Sequence, residues 1–253
     1  MILRKNSMFK IFDDIEFEET AHKYKFKSRP DLTPTSVTTV LGRYNKPFDT
    51  QYWAKRKAND YGISTQEVID KWDKDTNFAC DKGTVSHLYM ECSLTDQTFV
   101  YEPRFDYVRA AYEHNKVLMD RFLKESSKSL IPVVSELVVG DTEYNITGMI
   151  DQVYKDKDGF YYLFDWKTNK KIDKTSNYRL QGILSELDSS KHTQYSLQLL
   201  LYKHLIEKNT NIKIKDSYIC WFGPKETNYH IYKVKDLESY IPMIIEDFIK
   251  ENS

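Results

Sequence analysis

The feature that most constrains this chain is the stretch from Glu143 to Thr168, E-Y-N-I-T-G-M-I-D-Q-V-Y-K-D-K-D-G-F-Y-Y-L-F-D-W-K-T. Two runs rich in β-branched and aromatic residues flank Lys157-Asp158-Gly159, a turn signal with glycine where a left-handed residue is needed. If those three residues form the loop, Asp156 faces Phe160, and counting outward from that pair sets Asp151 opposite Asp165. Side chains alternate along a strand, so Asp165 and Lys167 share one face. Like charges opposed across a ladder cost roughly 0.2–1 kcal/mol. A hairpin that gathers two carboxylates and an ammonium needs a compensating partner, and a bound divalent cation supplies one.

The rest of the chain reads as a support for that hairpin. Residues 9–27 alternate apolar and charged side chains around Glu18–His22 and predict an N-terminal hairpin. Thr35 or Ser36 is placed to cap a short helix through Leu41, and a second helix carries Tyr52, Trp53 and Ala54. Ser64-Thr65-Gln66-Glu67 has capping-box form and starts a helix expected to end near Trp72. Further helices are expected over Gly83–Leu94 and over Tyr107–Lys124, the latter with Val108, Ala111, Tyr112, Val117 and Phe122 inward. From Ile131 the period changes to two, giving strands at 132–139, 144–155 and 160–167. An apolar helix at about Thr193–Glu207, strands near 214–222 and 229–234, and a last helix begun at Asp236 or Ser239 complete the order. The expectation is an α/β fold over 1–253 as a single domain, with a mainly helical front region (1–130) and a β-sheet core (131–253).

Hydrolysis of a phosphodiester needs a nucleophilic water, stabilised charge on the phosphoryl oxygens and help for the leaving alkoxide. Hard divalent ions held by carboxylates supply most of this. Asp151, Asp165 and Lys167 are the strongest candidates for such a site. Lys167 points at the same place as Asp165, to hold the water or, with a depressed pKa, to take its proton. The carbonyl of Trp166 between them is a further candidate ligand. His87 and Glu91 lie one helical turn apart, and imidazole suits Mn²⁺ and tolerates Mg²⁺. Glu136 in S-E-L-V-V-G is either another metal carboxylate or a charge that blunts an edge strand. Gln198 and Tyr202 lie one turn apart on an apolar helix. The amide there needs partners, either among the carboxylates, the Lys167 ammonium and a phosphate, or at a solvent-facing turn. Lys170, Lys171, Lys174 and Arg179 follow the hairpin directly and suit a phosphate backbone, although charge runs are often only solvated surface. Trp53, Tyr52, Trp72 and Tyr89 are candidates for base stacking, with core packing the plainer reading.

Composition narrows the class. Of 253 residues, 40% are hydrophobic and 30% charged, with a formal net charge of −1, so nucleic-acid contact must come from local patches rather than bulk charge. Three cysteines with no C-x-x-C pair argue against a disulfide framework and fit a reducing compartment. No apolar run approaches the ~20 residues that cross a bilayer, and M-I-L-R-K-N-S-M-F-K lacks a signal-peptide core, so a cytoplasmic protein (or a viral one acting in host cytoplasm) without membrane contact is expected.

Taken together, G-T-V-S-H (83–87) with Glu91, S-E-L (135–137), G-M-I-D (148–151), D-W-K (165–167) and Q-L-L-L-Y (198–202) resemble the PD-(D/E)XK nucleases of the RecB-like branch. T-S-V-T-T-V-L-G (35–42) followed by Trp53 is further similar to the mitochondrial genome maintenance exonuclease and its phage relatives. The resemblance implies a restriction-endonuclease-like core, a central mixed β-sheet flanked by helices, with a helical N-terminal region through which single-stranded DNA threads. It implies that His87, Asp151 and Asp165 bind one or two Mg²⁺ or Mn²⁺ ions, that Lys167 is catalytic and that Gln198 and Tyr202 support the site. Ile150 stands where the family's name-giving proline would be. Some relatives hold an iron–sulfur cluster on four cysteines; three scattered ones predict none here. The expected activity is a metal-dependent DNA exonuclease acting on single strands or ends in replication, repair or recombination, with proteins of those pathways as further partners. A structure-specific endonuclease and a catalytically silent DNA-binding module are the alternatives.

Overall fold

The computed structural model describes residues 7–18, 21 and 23–252. After a 3₁₀ segment (Ser7–Asp14) come β1 (Ile15–Glu18), β2 (Lys23–Phe26), β3 (Thr35–Ser36), α1 (Val37–Gly42), α2 (Thr50–Tyr61), α3 (Thr65–Leu94) and α4 (Arg109–Ser126). The second half holds β4 (Leu130–Asp141), β5 (Ile146–Asp156), β6 (Tyr161–Lys167), α5 (Lys191–Asn209), β7 (Ile214–Trp221), β8 (His230–Lys233) and α6 (Tyr240–Asn252). A mixed sheet flanked by helices is therefore the architecture, as the pattern of elements predicted.

The turn after β5 forms as expected. Asp156 and Phe160 are bonded (2.9 Å), and Gly159 takes φ +93°, a conformation closed to most side chains. The antiparallel β5–β6 ladder runs Lys155↔Tyr161, Tyr154↔Tyr162, Val153↔Leu163 and Gln152↔Phe164, the register read from sequence. It then stops. β4 covers one edge of β5 along its length, so the other edge is shared by β6 (at 152–155) and, in parallel, by β3 (at Ile146 and Thr147). Gly148 to Asp151 have no strand on that edge, and β6 leaves to pair in parallel with β7, which pairs with β8. The sheet is split beside Asp151.

Helices cover both faces. Leu163 on β6 and Ile219 on β7 pack with α5 and α6 through Leu199, Leu201, Ile244 and Phe248. α5 is apolar on nearly every side because it lies between the sheet and other helices. On the opposite face, Phe164 and Trp166 meet Met90 of α3 and Leu118 and Phe122 of α4. Alternation thus sends Tyr162, Phe164 and Trp166 of β6 to one layer and Tyr161, Leu163, Asp165 and Lys167 to the other.

Three expectations need correction. The helix expected to end near Trp72 and the one expected to open at Gly83-Thr84 are one 30-residue helix, α3. Ser64 and Glu67 form the capping box, and the intervening D-K-D-T-N-F-A-C-D-K contains no proline, so nothing breaks the run. The front half also contributes β3 to the main sheet, and residues 7–14 are 3₁₀ rather than strand. Phe9, Phe12 and Ile15, spaced by three, are all buried, a spacing that suits a three-residue turn. Finally, Val117 is 59% exposed; α4 buries Leu118 and Met119 instead. The predicted hairpin is present as β1 and β2, with Glu19, Thr20 and His22 of its turn outside the described residues.

Candidate active site

The site is built where the sheet splits. Past Phe164, the edge of β6 that faced β5 has no strand to satisfy it, and a buried unpaired peptide group costs about as much as a lost hydrogen bond. Side chains take over. The Trp166 amide donates to Asp151 Oδ2 (2.5 Å), the Trp166 carbonyl accepts from His87 Nε2 (3.1 Å), and the Thr168 carbonyl accepts from Lys82 Nζ (2.5 Å). On the other edge the Lys167 carbonyl accepts from the Phe222 amide (2.8 Å). α3 is thereby fixed to the end of β6, with His87 reaching the gap between the strands.

A carbonyl only accepts, so His87 Nε2 carries a proton and its Nδ1 faces Asp151 Oδ1 at 3.5 Å. Glu136 completes the group. Its neighbours Ser135 and Leu137 pair with Gln152 and Ile150, which sets Glu136 level with Asp151. Its φ of +50° is left-handed, a conformation that costs a non-glycine residue about 1–3 kcal/mol and concentrates at functional positions. One donor atom from each of His87, Glu136 and Asp151 lies within 4.8 Å of the others. Glu91, one turn beyond His87, is half-buried and close enough to Glu136 to repel its charge.

Beside this group Asp165, 3% exposed, receives the Lys167 ammonium at 2.9 Å on Oδ1 and 2.7 Å on Oδ2. The ammonium also sits 4.7 Å from the centre of the Tyr195 ring. Burial pushes the Asp165 carboxyl up to about 6, with repulsion from Asp151 adding to it and Lys167 opposing. Burial and then the Asp151 charge push Glu136 up to about 8. Burial of His87 works against its charge but is outweighed by Asp151, leaving the imidazole at about 9. The same pairing, against burial, holds Asp151 below the usual carboxylate range. Lys167 is buried too, yet Asp165 and Asp151 raise its pKa. Of the two roles open to Lys167 in the sequence, this favours holding the water: two carboxylates outweigh desolvation, and the ammonium keeps its proton. Once His87 and Glu136 give up their protons, three carboxylates and a neutral imidazole face a single ammonium, the donor chemistry that suits a hard divalent cation.

The supporting residues fall as follows. A Cβ on Gly148 would lie 2.4 Å from Tyr202 Cε1, so the tyrosine ring packs on the β5 backbone where only glycine leaves room. Gln198 Nε2 donates to the Tyr202 hydroxyl (3.2 Å), so the partner found for the amide is a tyrosine one turn along its own helix. Lys170 and Lys174 are exposed on the loop after β6, Lys171 pairs with Asp173 (2.8 Å) and Arg179 donates to the Glu186 carbonyl (2.7 Å). Trp72 packs on the small core of Ala54, Ala58 and Val68, and Tyr89 packs against Phe99 and Tyr112, in line with the plainer reading. Tyr52 and Trp53 depart from it, being 55% and 38% exposed.

Three residues at the site escaped the sequence reading: Lys82, Tyr195 and Tyr24. Lys82 is 5% exposed, and a lysine one residue before G-T carries no distinguishing signal. Tyr24 of β2 is pushed up to about 12 by burial and by the Glu136 charge, which places the N-terminal hairpin beside the site. Only the tertiary fold reveals that neighbour.

The model of the PD-(D/E)XK nuclease superfamily matches residues 69–245, a span that holds His87, Glu136, Asp151, Asp165, Lys167, Gln198 and Tyr202. Among solved structures, one described as "Putative exonuclease" from Eubacterium rectale is similar at 14% identity over 83% of this chain and 68% of its own, with a TM-score of 0.41. SSO0001 is similar at 12% identity over 86% and 75%, with a TM-score of 0.34. No curated protein matches in sequence.

Proposed function

Because the chain belongs to the PD-(D/E)XK nuclease superfamily, we propose that it is a divalent-metal-dependent DNA exonuclease acting on single strands or DNA ends. The observation that carries this reading is the convergence of His87, Glu136 and Asp151 donor atoms within 4.8 Å, beside the buried Asp165–Lys167 pair. His87, Glu136, Asp151 and Asp165 would hold the ion or ions, Mg²⁺ or Mn²⁺. A bound ion supplies charge neutralisation at the phosphoryl oxygens and a lower pKa for the attacking water. The remaining work falls to the protein. Lys167, kept protonated by its two carboxylates, holds the water and offsets charge developing on the phosphate rather than accepting a proton. The Trp166 carbonyl fixes the His87 tautomer and leaves Nδ1 toward Asp151. Tyr202, braced by Gln198 and Gly148, keeps β5 seated under the carboxylates.

Single-strand preference is supported by α2 and the first half of α3. Residues 73–80 of α3 are exposed on every side, and α2 presents Tyr52 and Trp53 to solvent with the Arg56 guanidinium 5.7 Å from the Trp53 ring. Such aromatic and cationic surface stacks bases and follows a backbone. Lys170, close enough to Lys82 of α3 to repel its charge, continues it toward the site. Replication, repair and recombination proteins are the partners such an enzyme would meet.

The test uses end-labelled linear single- and double-stranded DNA and circular single strands, each with Mg²⁺, Mn²⁺ or EDTA. Metal-dependent degradation of linear strands, sparing circles and lost in Asp165→Asn, is the expected result. Cleavage of circles makes the protein an endonuclease. DNA binding without turnover in either ion makes it a silent binding module.

A further inference from the structure

A cavity of about 660 Å³ opens between the C-terminal ends of α3 and α4 and the first residues of β4. Its size falls within the range of about 300–1,000 Å³ that small-molecule pockets occupy. Its position is specific. One wall is Glu91, which faces Glu136, and another is Ser135, the residue before Glu136. The cavity therefore begins where the candidate metal ligands end.

Its chemistry is equally specific. The floor is apolar, with Leu94, Leu123, Val134 and Tyr154. The rim offers neutral donors and acceptors in Ser93, Gln97, Ser126 and Ser127. Its charged residues are Glu91 and Asp96, and it is lined by no lysine or arginine among the described residues. A phosphate is repelled from such a pocket, whereas a flat, largely uncharged ring bearing a hydroxylated sugar finds both apolar surface and hydrogen-bond partners. The other side of the site is the reverse. There the exposed Lys170 and Lys174 present cations, the latter lying 5.2 Å from the Tyr232 ring. A polynucleotide has one repeating backbone charge, so the two sides cannot hold the same part of it.

We propose that this cavity receives the nucleoside on one side of the scissile phosphodiester, while the continuing strand lies along the cationic side. The proposal rests on the nuclease reading above and adds to it a binding subsite with a chemical preference: a deoxynucleoside, with its phosphate left at the cavity mouth beside His87 and Glu136. Seating one nucleoside in a pocket of this size favours a strand terminus.

Thymidine, thymidine 5′-monophosphate and inorganic phosphate are titrated into the full chain in EDTA by calorimetry and saturation-transfer NMR. Ser93→Trp and Ser127→Trp block the rim at exposed positions, where substitutions change stability little. Expected is thymidine binding that inorganic phosphate does not displace and that weakens at least about tenfold in both variants, with unchanged melting temperatures. In the same variants KM for linear single strands rises by more than kcat falls. Absence of thymidine binding, or binding untouched by both substitutions, overturns the proposal whether or not DNA is cleaved. Thymidine binding as expected in a protein that cleaves no DNA supports the pocket and overturns the nuclease reading.

Discussion

The protonation of the carboxylate–imidazole group makes a quantitative prediction about pH and metal. His87 is raised from 6.5 to about 9 and Glu136 from 4.5 to about 8. Both shifts are upward, so both act in one direction. Their stabilisation is complete below the unfolded values and is lost as pH climbs through about 8 and about 9. Asp151, whose pKa is lowered, acts in the opposite sense but only in acid, below its unfolded value of 3.8. At about 1.4 kcal/mol per tenfold, the His87 shift alone corresponds to about 3 kcal/mol. Its side chain is 32% exposed, so screening leaves about 1–2 kcal/mol. In EDTA the melting temperature should therefore fall by about 2–8 °C between pH 6 and 9 from this residue, with Glu136 adding to it. Divalent ions must displace these protons, so metal affinity should rise between about pH 6 and 8, by about tenfold per unit for each proton released. Calorimetry of Mn²⁺ binding in buffers of different ionisation enthalpy counts the protons directly: two are expected in the native protein and one in His87→Ala. A flat affinity across that window, or a melting temperature in EDTA that rises with pH, refutes the assignment of these groups.

Gly148→Ala should lower stability by about 1–3 kcal/mol through overpacking against Tyr202, a fall of about 2–12 °C in melting temperature, and Tyr202→Leu should recover much of it; additive single effects would deny the contact. Lys167→Ala leaves Asp165 buried without its cation and should cost about 3–5 kcal/mol in urea unfolding at neutral pH, partly restored by adding Asp165→Asn, whereas DNA cleavage stays lost in both. Tyr52→Ala with Trp53→Ala should weaken single-strand binding by about 1–3 kcal/mol for each base stacked, measured by fluorescence anisotropy, and leave the melting temperature unchanged because both rings are exposed.

Local sequence determined the hairpin and its register. Lys157-Asp158-Gly159 admits one turn, and period-two alternation then sets Asp165 and Lys167 on one face and Phe164 and Trp166 on the other. The caps at Ser36 and Ser64 and the apolar α5 are local in the same way, since a few adjacent residues satisfy the groups concerned. Other features depended on distant partners. That β6 abandons β5 beside Asp151 follows from its parallel pairing with β7, more than fifty residues on, and no pattern within the hairpin encodes it. The split leaves backbone groups of β6 unpaired, and α3 and Asp151 satisfy them, which is why His87 and Lys82 arrive where they do. The protonation of Lys167 was open in the sequence for the same reason: burial alone lowers an ammonium's pKa, and two buried carboxylates, one from another strand, raise it instead. Chain-local chemistry specified the strands and their faces; the placement of charge, set by contacts across the fold, was decided by the tertiary structure.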